Sequence, residues 1–173
     1  MLEFQELQKA LEVFRDQVID EAKKNLIRQK KSSSGTLYKS IKGNPVKTSE
    51  NSLEFNIEMA NYGTFVDRGV SGIKKKYNTP YSYKDKMPPP RKLDKWIVRR
   101  GIAPRGEDGR FISRKSLQFL IARSIYNNGI KPSLFFTKPF EKYYKNMPEV
   151  LQKAFGLDLE NFISFVAKQN MKK

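Results

Sequence analysis

The sequence contains no cysteine and no histidine. The first absence excludes disulfides and thiolate metal sites. The second removes the commonest metal ligand and the side chain best matched to proton transfer near neutral pH, so most hydrolytic mechanisms lose their usual parts. No apolar run approaches the ~20 residues that cross a bilayer. The start, Met1-Leu2-Glu3-Phe4, lacks the basic-then-apolar layout of a signal peptide. The expectation is a protein made and used in a cytoplasm, with no membrane partner, no cofactor and no enzymatic activity.

Acidic residues are also scarce, 18 against 34 Lys and Arg, which leaves a net charge of +16. The excess is uneven. Residues 1–69 carry 11 basic against 10 acidic side chains, residues 70–115 carry 14 against 4, and residues 116–173 carry 9 against 4. A field concentrated in one segment attracts nucleic acid, an anionic membrane or an acidic protein surface, and the sequence does not choose among them. With 38% hydrophobic and 12% aromatic residues, the chain is too apolar for a disordered basic tail. Its 173 residues are enough for one domain with a real core.

The periodicities predict a long N-terminal helix, a β-hairpin and further helices joined by long basic loops. From Leu2 to Lys31, Leu7, Leu11, Phe14, Val18, Ala22 and Leu26 recur at helical steps. The cluster Ser32-Ser33-Ser34-Gly35 stops that helix, and a short element follows from Thr36 to Ile41. The period then changes to two. Leu53, Phe55, Ile57 and Met59 alternate with Ser52, Glu54, Asn56 and Glu58, which reads as one arm of a β-hairpin over 45–60, turning at Ser49-Glu50-Asn51. Pro90 opens a helix containing Leu93, Trp96 and Ile97 that Gly101 ends. Ser113 caps another, carrying Leu117, Leu120, Ile121, Ile125 and Tyr126, that stops at Asn127-Asn128-Gly129. Pro148 starts a short helix to Phe155, and 157–173 reads as a separate C-terminal amphipathic helix with a frayed Lys172-Lys173 end.

Within a single domain, 70–115 stands out as a basic extended arm. It combines Lys74, Lys75 and Lys76 with Tyr77, Tyr81 and Tyr83, the run Pro88-Pro89-Pro90, and then Arg91, Lys92, Arg99, Arg100, Arg105 and Arg110. Cations interleaved with stacking rings suit phosphates or single strands. The plainer reading is a solvated loop that docks on an acidic neighbour. Glu54, Glu58 and Asp67 allow a divalent metal site to be imagined, but strand carboxylates alternating with apolar residues are normally the wet face of a sheet. Phe65, Trp96, Phe119, Phe135 and Phe136 read as core or subunit packing.

Three stretches taken in order carry a resemblance. They are the long N-terminal helix; Tyr62-Gly63-Thr64-Phe65-Val66-Asp67-Arg68-Gly69 after the alternating strand; and Ile121-Ala122-Arg123-Ser124-Ile125-Tyr126 with Gly129-Ile130-Lys131-Pro132 and Phe135-Phe136-Thr137. Together they resemble the tail-completion and head–tail neck proteins of tailed bacteriophages, over roughly residues 1–150. Val70-Ser71 stands where that pattern commonly has a small residue and threonine, and the insertion after it is unusually basic. The resemblance implies an α+β fold, a small antiparallel β-sheet flanked by the long N-terminal helix and further helices, and a structural virion protein, a ring-forming subunit that completes the tail or joins it to the head. Its implied partners are further copies of itself and neighbouring neck, portal-adaptor or tail proteins, with packaged DNA passing through the lumen. The alternative expectation is a non-catalytic nucleic-acid-binding protein that uses the same basic arm.

Overall fold

A computed structural model describes residues 4–31, 33–49, 52–107 and 109–170. The expected helix start at Leu2, Ser32, the turn residues Glu50-Asn51 and the terminal Lys172-Lys173 lie outside them. Among the described residues the fold is α+β, with seven α-helices and four short strands. The helices are α1 (Gln5–Arg28), α2 (Thr36–Ser40), α3 (Gly63–Arg68), α4 (Asp94–Arg99), α5 (Arg114–Asn128), α6 (Thr137–Tyr144) and α7 (Met147–Asn170), and a 3-10 turn (Pro90–Leu93) leads into α4. No helix is long and apolar enough to cross a membrane among these residues.

The chain divides into two compact units, one of residues 1–26, 38–60 and 135–173, the other of 27–37 and 61–134. A single-domain reading does not anticipate this division, because the chain passes between the units four times and no linker composition marks the crossings.

In the first unit the α1 stripe is buried where it was expected, at Phe14, Val18, Ala22 and Leu26. Phe14 and Val18 pack with Met147 of α7, and Leu11, Phe55, Ile57 and Leu151 close over them. Edge-to-face contacts set Phe14 against Phe55 and Phe140 with ring centres 5.9 and 5.6 Å apart. The strands form one interrupted hairpin. The inner ladder pairs β1 (Lys42–Gly43) with β4 (Ile57–Glu58), and the outer pairs β2 (Lys47–Ser49) with β3 (Ser52–Glu54). Three residues, 44–46, oppose two, 55–56, between the ladders. The extra residue falls where Pro45 has no N–H to give, and Asn44 alone bridges the gap, its N–H donating to the Asn56 carbonyl at 2.9 Å. The alternation predicted for this arm holds, with Leu53, Phe55, Ile57 and Met59 half-buried and Ser52, Glu54, Asn56 and Glu58 exposed.

Helix α7 corrects the expected break near residue 156. One 24-residue helix runs from Met147 through Gly156, with Pro148 in its first turn. A mid-helix glycine costs only about 1 kcal/mol, which the contacts of Met147, Leu151 and Ala154 outweigh. Asp158, 2% exposed, has a specific task. Its two carboxylate oxygens accept the Glu6 and Leu7 N–H groups at 2.9 and 3.0 Å. Position 4, where a capping side chain would stand, is phenylalanine, so a carboxylate from α7 caps α1 instead. Asp158→Ala is expected to destabilise the protein by about 1–2 kcal/mol, with Asp158→Asn intermediate. Urea unfolding measures both, and equal loss in the two variants would refute the capping role.

Candidate functional site

The second unit holds the basic segment, the 62–69 stretch and residues 121–132 of the later stretch, whereas 135–137 belong to the first unit, and the fold interlocks 62–70 with 129–134. Ser113 Oγ accepts the Ser116 N–H to start α5, and the Gly129 N–H donates to Ile125 O to finish it. Immediately beyond, Val70 and Ile130 exchange both backbone hydrogen bonds, at 2.9 and 2.8 Å. The Ser133 N–H and Leu134 N–H donate to the Asp67 carbonyl, and Ser133 Oγ donates to Val66 O at 2.6 Å. The α3 exit therefore docks on the α5 exit, some sixty residues away in sequence.

Two glycines permit this approach. Gly69 has φ 74° and ψ −178°, and Gly129 has φ 72° and ψ −167°, a region of backbone space essentially reserved for glycine. A β-carbon on Gly129 would strike the Val70 carbonyl, and one on Gly69 would lie 2.7 Å from Pro132 Cδ.

Residues 70–86, expected to be extended, are instead tied down through their backbone. The Ile73 N–H donates to Tyr126 O, and those of Lys74 and Lys75 to Asn127 O. The last carbonyls of α5 are thereby satisfied by the strap that follows α3. The Ser71 N–H donates to Tyr81 O and the Tyr83 N–H returns to Ser71 O, at 2.8 and 2.9 Å, while Ser71 Oγ donates to Tyr77 O and accepts from Tyr77 N. Lysine, proline and tyrosine side chains reveal nothing of this, because the anchoring groups are main-chain amides. The Lys74, Lys75 and Lys76 side chains stay exposed at the negative end of the α5 dipole, with Lys75 Nζ 5.7 Å from the centre of the Tyr77 ring.

The other predicted basic residues sit on the 3-10 turn, on α4 and in the loop that follows. Arg91, Lys92, Arg99 and Arg100 are exposed on the 3-10 turn and α4. The 3-10 turn packs against α5, and Arg100 donates to the Lys30 carbonyl. Arg105 lies over the Phe111 ring at 4.4 Å and donates to Gly109 O, and Arg110 is exposed beside them. Within 70–115, then, residues 70–86 form a strap anchored by hydrogen bonds, and the expected helix from Pro90 and the basic loop after it are both present.

Between α3 and the strap lies an open groove of about 680 Å³. Val66, Val70 and Ile130 line it together with Tyr62, just before α3, Phe65 within it, and residues 80–84. Phe65 meets Tyr81 edge-on at 4.5 Å. Tyr83 leans on Tyr126, whose hydroxyl donates to Lys84 O at 2.7 Å, and burial raises the Tyr83 phenol above its ordinary pKa. Of the strap tyrosines singled out in the sequence, Tyr81 and Tyr83 line the groove and Tyr77 does not. Sequence reasoning missed the groove itself. Its signal was the spacing of Tyr62, Phe65 and Val66, one face of a short helix.

The five aromatics expected in packing separate. Phe135 is fully buried, and Phe136 is half-buried and stacked 6.1 Å from Phe140. Phe65, Trp96 and Phe119 are 41%, 37% and 48% exposed, so they lie outside the buried core. On α5 the core-facing residues are Leu117, Gln118 and Ala122, whereas Leu120, expected inside, is half-exposed. Glu54 and Glu58 sit exposed on the hairpin, where they accept the Asn56 and Asn44 side-chain amides, and Asp67 is buried in α3. The described residues contain no group of three acidic side chains placed to hold a metal ion.

No protein-family model matches this chain, and comparison with curated proteins and with solved structures gives no match.

Proposed function

We propose that the protein is a structural virion component, a ring-forming subunit of the neck or tail of a tailed bacteriophage that helps complete the tail or join it to the head. It is assembled in the host cytoplasm and acts through contacts between chains, without catalysis or cofactor. The observation that carries this reading is the interlocking of 62–70 with 129–134. Parts of two of the three stretches that carry the resemblance, around 62–70 and 129–132, are brought together by paired backbone hydrogen bonds and by two glycines in glycine-only conformations, which supports reading them as one structural device. The exposed rings and the exposed cations suit a subunit whose neighbours are protein on some sides and packaged DNA on another.

Electron microscopy of particles made when the gene is disrupted tests the proposal. Filled heads separated from tails, or particles lacking one neck or tail layer, are expected. Normal infectious particles would overturn it.

A second reading, a nucleic-acid-binding protein, is favoured by the exposed Lys74-Lys75-Lys76 triad beside the Tyr77 ring. It predicts binding by the isolated chain that falls steeply with salt. Reversing all three lysines to glutamate should remove about three phosphate contacts, lowering the slope of log K against log salt by roughly 2–3. The strap keeps its backbone anchors in that variant, which a deletion of 74–86 would destroy.

A further inference from the structure

The C-terminal half of α7 is apolar on more sides than its own unit covers. Phe155, Leu159, Ile163 and Val166 form one stripe, 45%, 41%, 59% and 39% exposed, and Leu157 and Phe165 stand clear of it at 50% and 57%. An exposed apolar face this wide on an amphipathic helix marks a surface for contact. Its charge is also one-sided. No cation occurs between Lys153 and Lys168, Asp158 is buried in its capping role, and Glu160 is the one acid left exposed.

The groove beside α3 has the complementary character. It is concave, lined by aromatic and aliphatic side chains, and set in the unit that carries most of the positive charge, with Lys84 in its lining. Helices with spaced apolar anchors dock into grooves of this kind.

We infer that copies of this chain associate head to tail, the α7 stripe of one copy seating in the α3-strap groove of the next. Convex and concave surfaces both belong to the same chain, so each copy offers one of each and the contact repeats. It is heterologous, the type that closes into a ring or continues as a filament. The groove presents a lysine to a helix segment that carries no cation between Lys153 and Lys168, whereas α7 paired with α7 gains no such charge complementarity. This inference deepens the reading of the chain as a self-assembling subunit and rests on it.

The absence of cysteine makes a direct test possible. Ser82→Cys places a thiol at the exposed edge of the groove and Ile163→Cys places one on the exposed stripe. Mixing the two single variants under mild oxidation should give a reducible dimer containing one chain of each, at about ten times the yield of either variant alone. Leu159→Glu in the Ile163→Cys chain should cut that yield by a similar factor. Because residue 159 is exposed, a circular-dichroism spectrum matching that of the parent chain will show that the variant has folded. A dimer formed equally well by Ile163→Cys alone would mean that α7 pairs with α7, and would overturn the groove contact. So would the absence of any mixed dimer, or a doubly substituted chain that closes on itself as a monomer. Particle morphology on gene disruption reports separately on the virion role. Defective particles without the mixed disulfide would remove this contact and keep that role, and normal particles with the disulfide would do the reverse.

Discussion

Gly129→Ala is expected to be among the most damaging single-methyl additions in this protein, costing about 3–5 kcal/mol and lowering the melting temperature by roughly 10 °C. Two effects add. The backbone at φ 72° and ψ −167° is strained for any residue with a β-carbon, and that β-carbon would collide with the Val70 carbonyl. Relief requires moving the 70–75 strap, which threatens the paired Val70 and Ile130 hydrogen bonds and those that Lys74 and Lys75 give to Asn127. Gly101→Ala is the control. Its φ is 62° but nothing lies within 4 Å of the added carbon, so only the conformational cost of about 1 kcal/mol remains. Calorimetry on both variants decides the matter. Similar losses at the two positions would show that the close approach, and with it the interlock of 62–70 with 129–134, is not what stabilises this unit.

Phe135→Ala should cost about 3–5 kcal/mol, the usual penalty for emptying a fully buried aromatic site. The Phe135 carbonyl also accepts the side-chain amide of buried Asn25 at 3.3 Å, so a shift in this turn would disturb α1. Phe119→Ala, by contrast, should change stability by no more than about 0.5 kcal/mol, because its ring is 48% exposed. Urea titrations with intrinsic fluorescence would measure both. The contrast bears on function. A Phe119→Ala protein that folds normally yet fails to assemble would assign that ring to a neighbour, whereas a large loss of stability would return it to the core.

Those two phenylalanines show how far the sequence could be read. Each lies in an apolar stretch, and no local pattern separates them: Phe135 enters a turn that the first unit encloses, while Phe119 falls on the outward side of α5, next to a buried glutamine. That Gln118 is buried, with its amide donating to Asp94 at 2.7 Å, follows from where the 3-10 turn and α4 pack and not from its own polarity. Similarly, Asp158 is the only charged residue on the buried side of α7, and only the arrival of the α1 N-terminus explains it.

By itself the sequence determined the elements that depend on neighbours a few residues away. The stripe on α1, the Ser113 cap and Gly129 stop of α5, the alternation along the hairpin and the concentration of charge in 70–115 are all set by side-chain type and spacing, which local sterics and hydrogen bonding convert directly into helix, strand or turn. Tertiary structure alone decided the division into two units, the continuation of α7 through Gly156, the capping of α1 by Asp158 and the conversion of an apparently extended basic arm into an anchored strap beside a groove. In each case the deciding partner is a backbone amide, a carbonyl or a packing surface distant in the chain. Such groups are present at every residue whatever its side chain, so their pairing leaves no mark on composition or period.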